Sequence, residues 1–283
     1  MAKKSKMQFY PVAMTVAGSD SGGGAGIAAD LRTFNALGVF GTCAISAVTA
    51  QNPAAVRRID PLPAAAITAQ IDAVMEKIAV KYCKSGMLFS TENIVALAAS
   101  VKKHQLRLIC DPVMVSTSGS KLLQDDAIEA VKSELLGLAA WLTPNIPEAE
   151  LLCNKKITTI DDMLLAAASL GEKYSASILL KGGHLNGKNI TDVVCRDGKL
   201  YTVSSPSVQI PPLASHGTGC TLSAAMTAMF ALDLPWKQVI CESKAFVYGS
   251  LVQTVEIGAG TIAMYPPSED SIHLIRLEEV ENC

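Results

Sequence analysis

The segment 216–220, which reads His-Gly-Thr-Gly-Cys, has the residue types needed to bind an anion at the start of a helix. The residues after it are rich in Ala, Met and Leu, which predicts a helix over 218–232. Gly217 and Gly219 would expose backbone amides at the positive end of that helix, where a phosphoryl group in transit needs donors. An ordinary glycine-containing helix cap is the alternative. We predict a phosphoryl-transfer site whose catalytic residues are Gly217, Thr218, Gly219 and Cys220.

Cys220 lies in the first turn of this predicted helix. A helix start lowers the pKa of a thiol and favours the thiolate. The thiolate could accept the proton of an attacking hydroxyl, or it could only orient that hydroxyl, and the sequence leaves both roles open. A packed, inert cysteine is a further alternative.

A second group of polar residues is suited to a nucleotide and its metal ion. Asn145 and Glu148 lie three residues apart, on one face of a helix's first turn, where they could hold a hydrated Mg²⁺ ion on nucleotide phosphates. A helix capping arrangement explains the same spacing almost as well. Asp111 could add another carboxylate, and Lys181 could reach a phosphate as a mobile charge, although a strand-end lysine is more often solvated.

A third group is suited to a flat heterocycle. The loop 18–26 contains five glycines, which favours close approach of a ligand to the backbone. Gln51 offers both a donor and an acceptor, Met87 can pack on a ring, and Asp30 adds a carboxylate after the glycine loop. We predict that Gly18, Asp30, Gln51 and Met87 bind the substrate, although each one alone could be structural.

Apolar runs of strand length alternate with helical patterns along the chain. Strands are predicted at 12–17, 39–48, 80–82, 106–110, 141–142 and 177–180, and a hairpin at 191–205. Helices are predicted after the glycine loop and at 67–78, 91–103, 124–137, 160–172, 218–232 and 236–256. This order predicts an α/β fold with a mostly parallel central sheet between two layers of helices. The polar segments would then meet at the carboxyl edge of the sheet, where such folds bind ligands.

The composition narrows the class of protein. The chain has 283 residues, 49% of them hydrophobic, and a formal net charge of −2, which argues against a nucleic-acid-binding surface. The sequence shows neither a membrane-length apolar run nor a signal-peptide pattern, so we expect a cytoplasmic protein. We expect an N-terminal extension over 1–11 and a single domain over 12–283. The glycine loop lacks the dinucleotide and P-loop spacings, which argues against a dehydrogenase.

Taken together, these motifs resemble those of the hydroxymethylpyrimidine/phosphomethylpyrimidine kinases of thiamine biosynthesis, in the ribokinase-like superfamily. The resemblance covers roughly residues 12–256. It rests on AGSDSGGGAGIAADLRTF (17–34), TAQN (49–52), SGM (85–87), DPVMV (111–115), LTPNIPEA (142–149), KGGH (181–184) and HGTGCTLSAA (216–225). The cysteine of the last motif is its most specific element, because most ribokinase relatives have aspartate there.

The resemblance implies a ribokinase-like fold, ATP and Mg²⁺ as cosubstrates, and commonly a homodimer. It implies that ATP phosphorylates 4-amino-5-hydroxymethyl-2-methylpyrimidine and then its monophosphate. It also implies that Lys181, Asn145, Glu148 and Thr218 serve the nucleotide, with Glu148, Asn145 and Asp111 near the metal. A pyridoxal kinase is the main alternative, and a ligand-binding protein without catalysis is a weaker one.

Overall fold

The computed structural model describes residues 9–114, 125–183, 185, 187–258 and 260–281. Val115 and His184, which belong to two of the motifs above, lie outside the described residues. The strands of the main sheet are β1 (Val12–Ala17), β2 (Phe40–Ile45), β5 (Tyr82–Ser85), β6 (Arg107–Cys110), β7 (Ala139–Leu142), β8 (Ser177–Leu180), β9 (Asn189–Arg196), β10 (Lys199–Pro206) and β13 (Arg276–Glu279). Two further pairs are β3 (Ala47–Asn52) with β4 (Ala55–Pro61), and β11 (Val255–Gly258) with β12 (Thr261–Ala263).

In the described part of the chain, the main sheet has nine strands in the order β13-β10-β9-β8-β7-β6-β5-β1-β2. The six strands from β2 to β8 in this order run parallel, and β9, β10 and β13 form an antiparallel edge. The β9–β10 hairpin turns at Asp197 and Gly198, which both have positive φ, as the Asp-Gly pair predicted. The predicted mostly parallel sheet is confirmed.

Helices cover both faces of the sheet. They are α1 (Gly26–Ala36), α2 (Ala64–Met75), α3 (Thr91–His104), α4 (Asp125–Ala130), α5 (Ile146–Cys153), α6 (Ile160–Tyr174), α7 (Thr218–Ala231) and α8 (Trp236–Val252). α2 to α6 pack on one face, around a core that includes Ile67, Leu97 and Leu170. α1, α7 and α8 pack on the other, around Phe34, Met226 and Ile240. The predicted arrangement of a central sheet between two layers of helices is therefore confirmed.

The structure corrects the second predicted strand. The run 39–48 is not one strand, because the chain turns at the buried Ser46, whose amide donates to the Ala17 carbonyl. β2 ends before this turn, and β3 leaves the main sheet to pair with β4. The predicted helix over 124–137 also ends early, since α4 passes into a π turn at 131–135 and a 3-10 turn at 136–138.

No helix in the described part of the chain is both long and apolar enough to span a bilayer.

Candidate functional site

The carboxyl ends of β1, β5, β6, β7 and β8 bring most of the predicted residues to one edge of the sheet. The backbone holds these ends together: the Gly18 amide donates to the Met87 carbonyl at 3.0 Å, and the Lys181 amide donates to the Pro144 carbonyl at 2.9 Å. A short parallel bridge joins Asn145 to Lys181 beyond the ends of β7 and β8. The parallel register of the strands therefore gathers these residues at the carboxyl edge of the sheet, where folds of this kind bind ligands.

α7 begins at this edge, and its N-cap is Gly217, with φ of +88°. No side chain of the described residues caps the helix, so its first amides face the site. A Cβ on Gly217 would lie 1.9 Å from the Gly24 carbonyl oxygen, so only glycine fits between the two loops. Thr218, Gly219 and Cys220 follow and are partly exposed. This geometry can hold an oxyanion.

Lys181 and Asp111 lie beside the start of α7. The Lys181 Nζ is 2.9 Å from the Asp111 Oδ1, and a Cβ on Gly219 would lie 3.2 Å from that Nζ. The Ser223 hydroxyl, one turn into α7, lies 3.4 Å from the Asp111 Oδ2. The structure therefore places a cation next to the amides at which an anion would bind, and a phosphate there would contact both.

Asn145 and Glu148 form the capping box that was the alternative interpretation of their spacing. The Asn145 Oδ1 accepts from the Glu148 amide at 2.9 Å, and the Glu148 Oε2 accepts from the Asn145 amide at 2.9 Å. The Glu148 Oε1 also accepts from the Met114 amide at 3.1 Å. Burial raises the pKa of Glu148 to about 7, with Asp111 adding to the rise and Lys181 opposing it.

The donor set fits a hydrated magnesium ion. Asp111 and Glu148 both interact with Lys181, and the other lysine that acts on Asp111, Lys84, is already paired with Asp30, so the two carboxylates have room for additional positive charge. Each Glu148 oxygen uses one lone pair on an amide and keeps another. Within the described ranges, no group of three or more His, Cys, Asp or Glu side chains is placed to hold a metal ion. Mg²⁺ on nucleotide phosphates keeps several waters, and this set matches that requirement.

Cys220 corrects one prediction from the sequence. Burial, assisted by the carboxylates of Asp30 and Asp111, raises the pKa of its thiol to about 11, although Lys84 and the Gly26 amide oppose the shift. The predicted lowering of the pKa at the helix start is therefore wrong. Burial and two nearby carboxylates outweigh the favourable end of the helix dipole. In this arrangement the thiol is protonated at neutral pH.

The predicted substrate residues divide into two groups. Met87 and Gln51 are partly exposed. The methyl group of Met87 packs directly on Gly18, since a Cβ on Gly18 would lie 2.6 Å from it. Asp30, in contrast, is wholly buried and bonds to Lys84, whose Nζ is 2.9 Å from each Asp30 oxygen. Thr15 also donates to Asp30, at 2.6 Å. The structure thus places Asp30 beneath the site.

Lys84 is a residue that sequence reasoning missed. It lies on β5, is wholly buried, and directs its ammonium to the face that α1 and α7 cover. Burial acts to lower the pKa of Lys84, but Asp30, Cys220 and Asp111 outweigh it and raise the pKa overall. The one available signal was a lysine inside an apolar strand, directly before the Ser-Gly-Met motif.

A second buried ion pair, also missed, supports the Lys181 loop from behind. The Lys244 Nζ is 2.7 Å from the Asp192 Oδ2, and the Asp192 Oδ1 accepts from the Gly182 amide at 2.8 Å. A Cβ on Gly182 would lie 1.7 Å from the Thr191 carbonyl oxygen, so β9 touches the loop backbone directly. Lys244 on α8 therefore helps to fix the turn that follows Lys181.

A family model described as phosphomethylpyrimidine kinase matches residues 20–265. The chain belongs to the phosphomethylpyrimidine kinase family. It is 42% identical over 252 residues to a hydroxymethylpyrimidine/phosphomethylpyrimidine kinase of Rhizobium meliloti (strain 1021), covering 88% of this chain and 94% of the relative. It is 40% identical over 248 residues to a thiamine biosynthesis bifunctional protein of Geobacter sulfurreducens (strain ATCC 51573 / DSM 12127 / PCA), covering 87% of this chain and 50% of that protein.

The fold of this family member also matches a solved pyridoxal kinase. The Staphylococcus aureus pyridoxal kinase in complex with AMP-PCP superimposes with a TM-score of 0.86 at 28% identity, covering 96% of this chain and 100% of that one. Family membership makes the chain a phosphotransferase of the ribokinase-like kind, and it supports the use of ATP.

Proposed function

We propose that this chain transfers the γ-phosphoryl group of ATP to the hydroxymethyl group of 4-amino-5-hydroxymethyl-2-methylpyrimidine, and then phosphorylates the monophosphate, within thiamine biosynthesis. The start of α7 carries the proposal, because its uncapped amides lie beside the Lys181 ammonium. The family match and the name of the Rhizobium meliloti relative support the choice of substrate.

In the proposed reaction the protein mainly places hydrogen-bond donors and positive charge around the transferred phosphoryl group. The bond from the γ-phosphorus to the bridging oxygen of ATP breaks as the bond to the substrate's hydroxymethyl oxygen forms. ADP leaves, and the hydroxyl proton passes late in the step to an oxygen of the transferred phosphoryl group or to solvent. The amides of Gly217 to Gly219 and the Lys181 ammonium stabilise the negative charge on the transferred group. Such a loose transition state needs little base catalysis. The protonated Cys220 thiol then acts by orienting the hydroxyl.

Asn145, Glu148 and Asp111 would hold Mg²⁺ with the nucleotide phosphates. When bound, this ion would neutralise charge on the phosphate oxygens. Thr218, at the first position of α7, would contact the same phosphates, and Met87, Gln51 and Gly18 would contact the heterocycle. Asp30 would act on the site from below, through Lys84.

Product analysis tests the proposal. The enzyme is incubated with ATP, Mg²⁺ and the pyrimidine alcohol, and the phosphates added per molecule are counted by mass spectrometry and ³¹P NMR. We expect a monophosphate first and a diphosphate later. If the monophosphate accumulates and no diphosphate forms, the proposed second phosphorylation is wrong.

A pyridoxal kinase activity is the second candidate, because the fold superimposes closely on a pyridoxal kinase. Comparing kcat/KM for the pyrimidine alcohol and for pyridoxal separates the two candidates. No consumption of ATP with either alcohol would favour a ligand-binding protein without catalysis.

Three organisational features remain proposals. The resemblance supports a homodimer. The sequence pattern supports a cytoplasmic location and a single domain over 12–283 that follows an extension over 1–11. Light scattering on the purified chain tests the dimer, limited proteolysis tests the domain boundary, and fractionation of cells tests the location.

A further inference from the structure

His216 joins three segments of the site. Its Nε2 lies 3.2 Å from the Asp20 Oδ2 in the glycine loop and 3.1 Å from the amide end of Gln51 on β3. Its ring packs against the glycine loop, since a Cβ on Gly24 would lie 2.8 Å from the His216 Cδ2. The residue after it is Gly217, the N-cap of α7. One side chain therefore connects the loop, the β3–β4 hairpin and the anion-binding helix.

Asp20 determines which ring nitrogen of His216 carries a proton. Asp20 is buried, and its oxygens accept from the amides of Gly22 at 2.8 Å, Gly24 at 3.0 Å and Ala25 at 2.8 Å. Burial acts to raise the pKa of Asp20, but the His216 contact and the amides of Gly22 and Ala25 outweigh burial and lower this pKa overall. An ionised carboxylate only accepts hydrogen bonds. The His216 Nε2 must therefore carry a proton and donate it.

The Thr49 hydroxyl contacts the end of the Gln51 side-chain amide that faces away from His216, and it determines whether nitrogen or oxygen lies there. The Thr49 hydroxyl has one proton, which it donates to the Ser19 carbonyl at 2.8 Å. At its 3.2 Å contact with the Gln51 side chain, the hydroxyl oxygen must therefore accept. Only the amide nitrogen of Gln51 can donate to it. The His216 Nε2–H, at the opposite end, requires the amide oxygen.

Both neighbours therefore require the same orientation of Gln51, with Oε1 towards His216 and Nε2 towards Thr49. As placed, the Gln51 Oε1 lies 3.2 Å from the Thr49 Oγ1, and the Gln51 Nε2 lies 3.1 Å from the His216 Nε2. That orientation would place two donors together at His216 and would need a second proton on the Thr49 hydroxyl. Oxygen and nitrogen of an amide are assigned by their hydrogen bonds, and exchanging them satisfies every contact.

We propose that His216 is a positioning residue that fixes the amide orientation of Gln51 and thereby sets substrate specificity. It donates one Nε2–H, shared between Asp20 and the Gln51 oxygen. Gln51 then keeps one N–H and one oxygen lone pair for a ligand. That pair matches a heterocycle edge on which a ring-nitrogen acceptor lies beside an exocyclic amino donor. Recognition of such an edge at this site rests on the proposed function.

Nitrogen-15 NMR of the imidazole tests the tautomer without any need for activity. We expect a proton on the His216 Nε2, in the neutral ring or in the imidazolium. A bare Nε2 with the proton on Nδ1 would overturn the proposal. The Asp20→Asn variant, which removes the obligatory acceptor, should allow the Nδ1–H form.

Steady-state kinetics test the effect on specificity. Loss of one hydrogen bond to Gln51, in His216→Leu or Thr49→Val, should raise the KM for the aminopyrimidine alcohol about tenfold and leave the KM for ATP unchanged. Thr49→Ser and His216→Gln, which keep a hydroxyl and an N–H donor, should retain most of the affinity. Unchanged pyrimidine KM in both His216→Leu and Thr49→Val would overturn the proposal. If the wild-type enzyme phosphorylates neither alcohol, the proposed function fails, while the tautomer result stands.

Discussion

Lys84 and Asp30 form a wholly buried ion pair, with the lysine Nζ 2.9 Å from both carboxylate oxygens, on the face of the sheet that α1 and α7 cover. Fifty-four positions of sequence separate them. Breaking such a pair leaves a charge in the core, which costs about 3–5 kcal/mol. Replacing both partners by neutral groups of similar size costs much less.

We therefore expect Lys84→Met to lower the free energy of unfolding in urea by about 3–5 kcal/mol. The double variant Lys84→Met/Asp30→Asn should recover most of that loss. A matched surface control is Lys81→Met, which breaks the exposed, solvent-screened Lys81–Asp233 pair and should leave the free energy of unfolding nearly unchanged. Equal losses in the single and double variants would show that the pair's charges do not set the cost.

The Lys84–Asp30 pair should also change the pKa of the Cys220 thiol. Removing the negative charge in Asp30→Asn should lower the pKa of Cys220 from about 11, whereas Lys84→Met should raise it. The rate of alkylation by iodoacetamide as a function of pH measures the pKa of the thiol, with Cys220→Ala identifying the signal.

We also expect Cys220→Ala to reduce kcat strongly and to leave nucleotide affinity nearly unchanged. Normal turnover in that variant would remove Cys220 from the mechanism.

The raised pKa of Glu148 predicts a pH-dependent stability. Its pKa rises from 4.5 to about 7 on folding, so the folded state binds more protons between these values. The free energy of unfolding should therefore fall as pH rises from about 4.5 to 7, by on the order of 3 kcal/mol. Urea titrations across this window measure the slope. Glu148→Gln, which cannot titrate, should lack this component, and an identical slope in both proteins would contradict the prediction.

A bound magnesium nucleotide should reverse that shift. A divalent cation near Glu148 favours its ionised form, so binding of Mg·ADP near pH 7 should release a fraction of a proton. Calorimetry in two buffers with different ionisation enthalpies counts the protons released. Glu148→Gln should release fewer. Equal release in the two proteins would place the metal away from Glu148.

The Lys244–Asp192 pair should affect the KM for ATP and not the KM for the alcohol. Because Asp192 holds the Gly182 amide, Lys244→Met and Asp192→Asn should loosen the turn after Lys181. We expect the KM for ATP to rise about tenfold, as for the loss of one charge-assisted hydrogen bond, with little change for the alcohol. Lys199→Met, which breaks the exposed Lys199–Glu279 pair, is the control. A rise in both KM values would indicate general destabilisation instead.

Gly182 and Gly183 form a matched pair in one turn. A Cβ on Gly182 would lie 1.7 Å from the Thr191 carbonyl oxygen. A Cβ on Gly183 would have no heavy atom of the described residues within 4 Å, apart from its own chain neighbours. Gly182→Ala should therefore destabilise the fold by about 3 kcal/mol or more, and Gly183→Ala by less than about 1 kcal/mol. Thermal unfolding compares the two, and similar melting temperatures would contradict the prediction.

Local patterns predicted the architecture and the start of α7, because apolar periodicity and glycine placement act within a few residues. The Asp197-Gly198 hairpin is of the same kind. The β3–β4 arm was missed, since one buried turn at Ser46 decides which strand joins which sheet. The pKa of Cys220 was predicted with the wrong sign because its neighbours come from distant segments. Lys84 and Lys244 were missed for the same reason: their partners are found only in the folded chain.

The contact between Gly24 and Gly217 has a consequence for how this site can change over evolutionary time. Each loop presents bare backbone to the other: a side chain on Gly217 would strike the Gly24 carbonyl, and one on Gly24 would strike the ring of His216. Neither loop can accept a larger residue unless the other retreats. We therefore expect the two loops to change together, and a chimaera that takes only one of them from a differently shaped relative should fail to assemble the site.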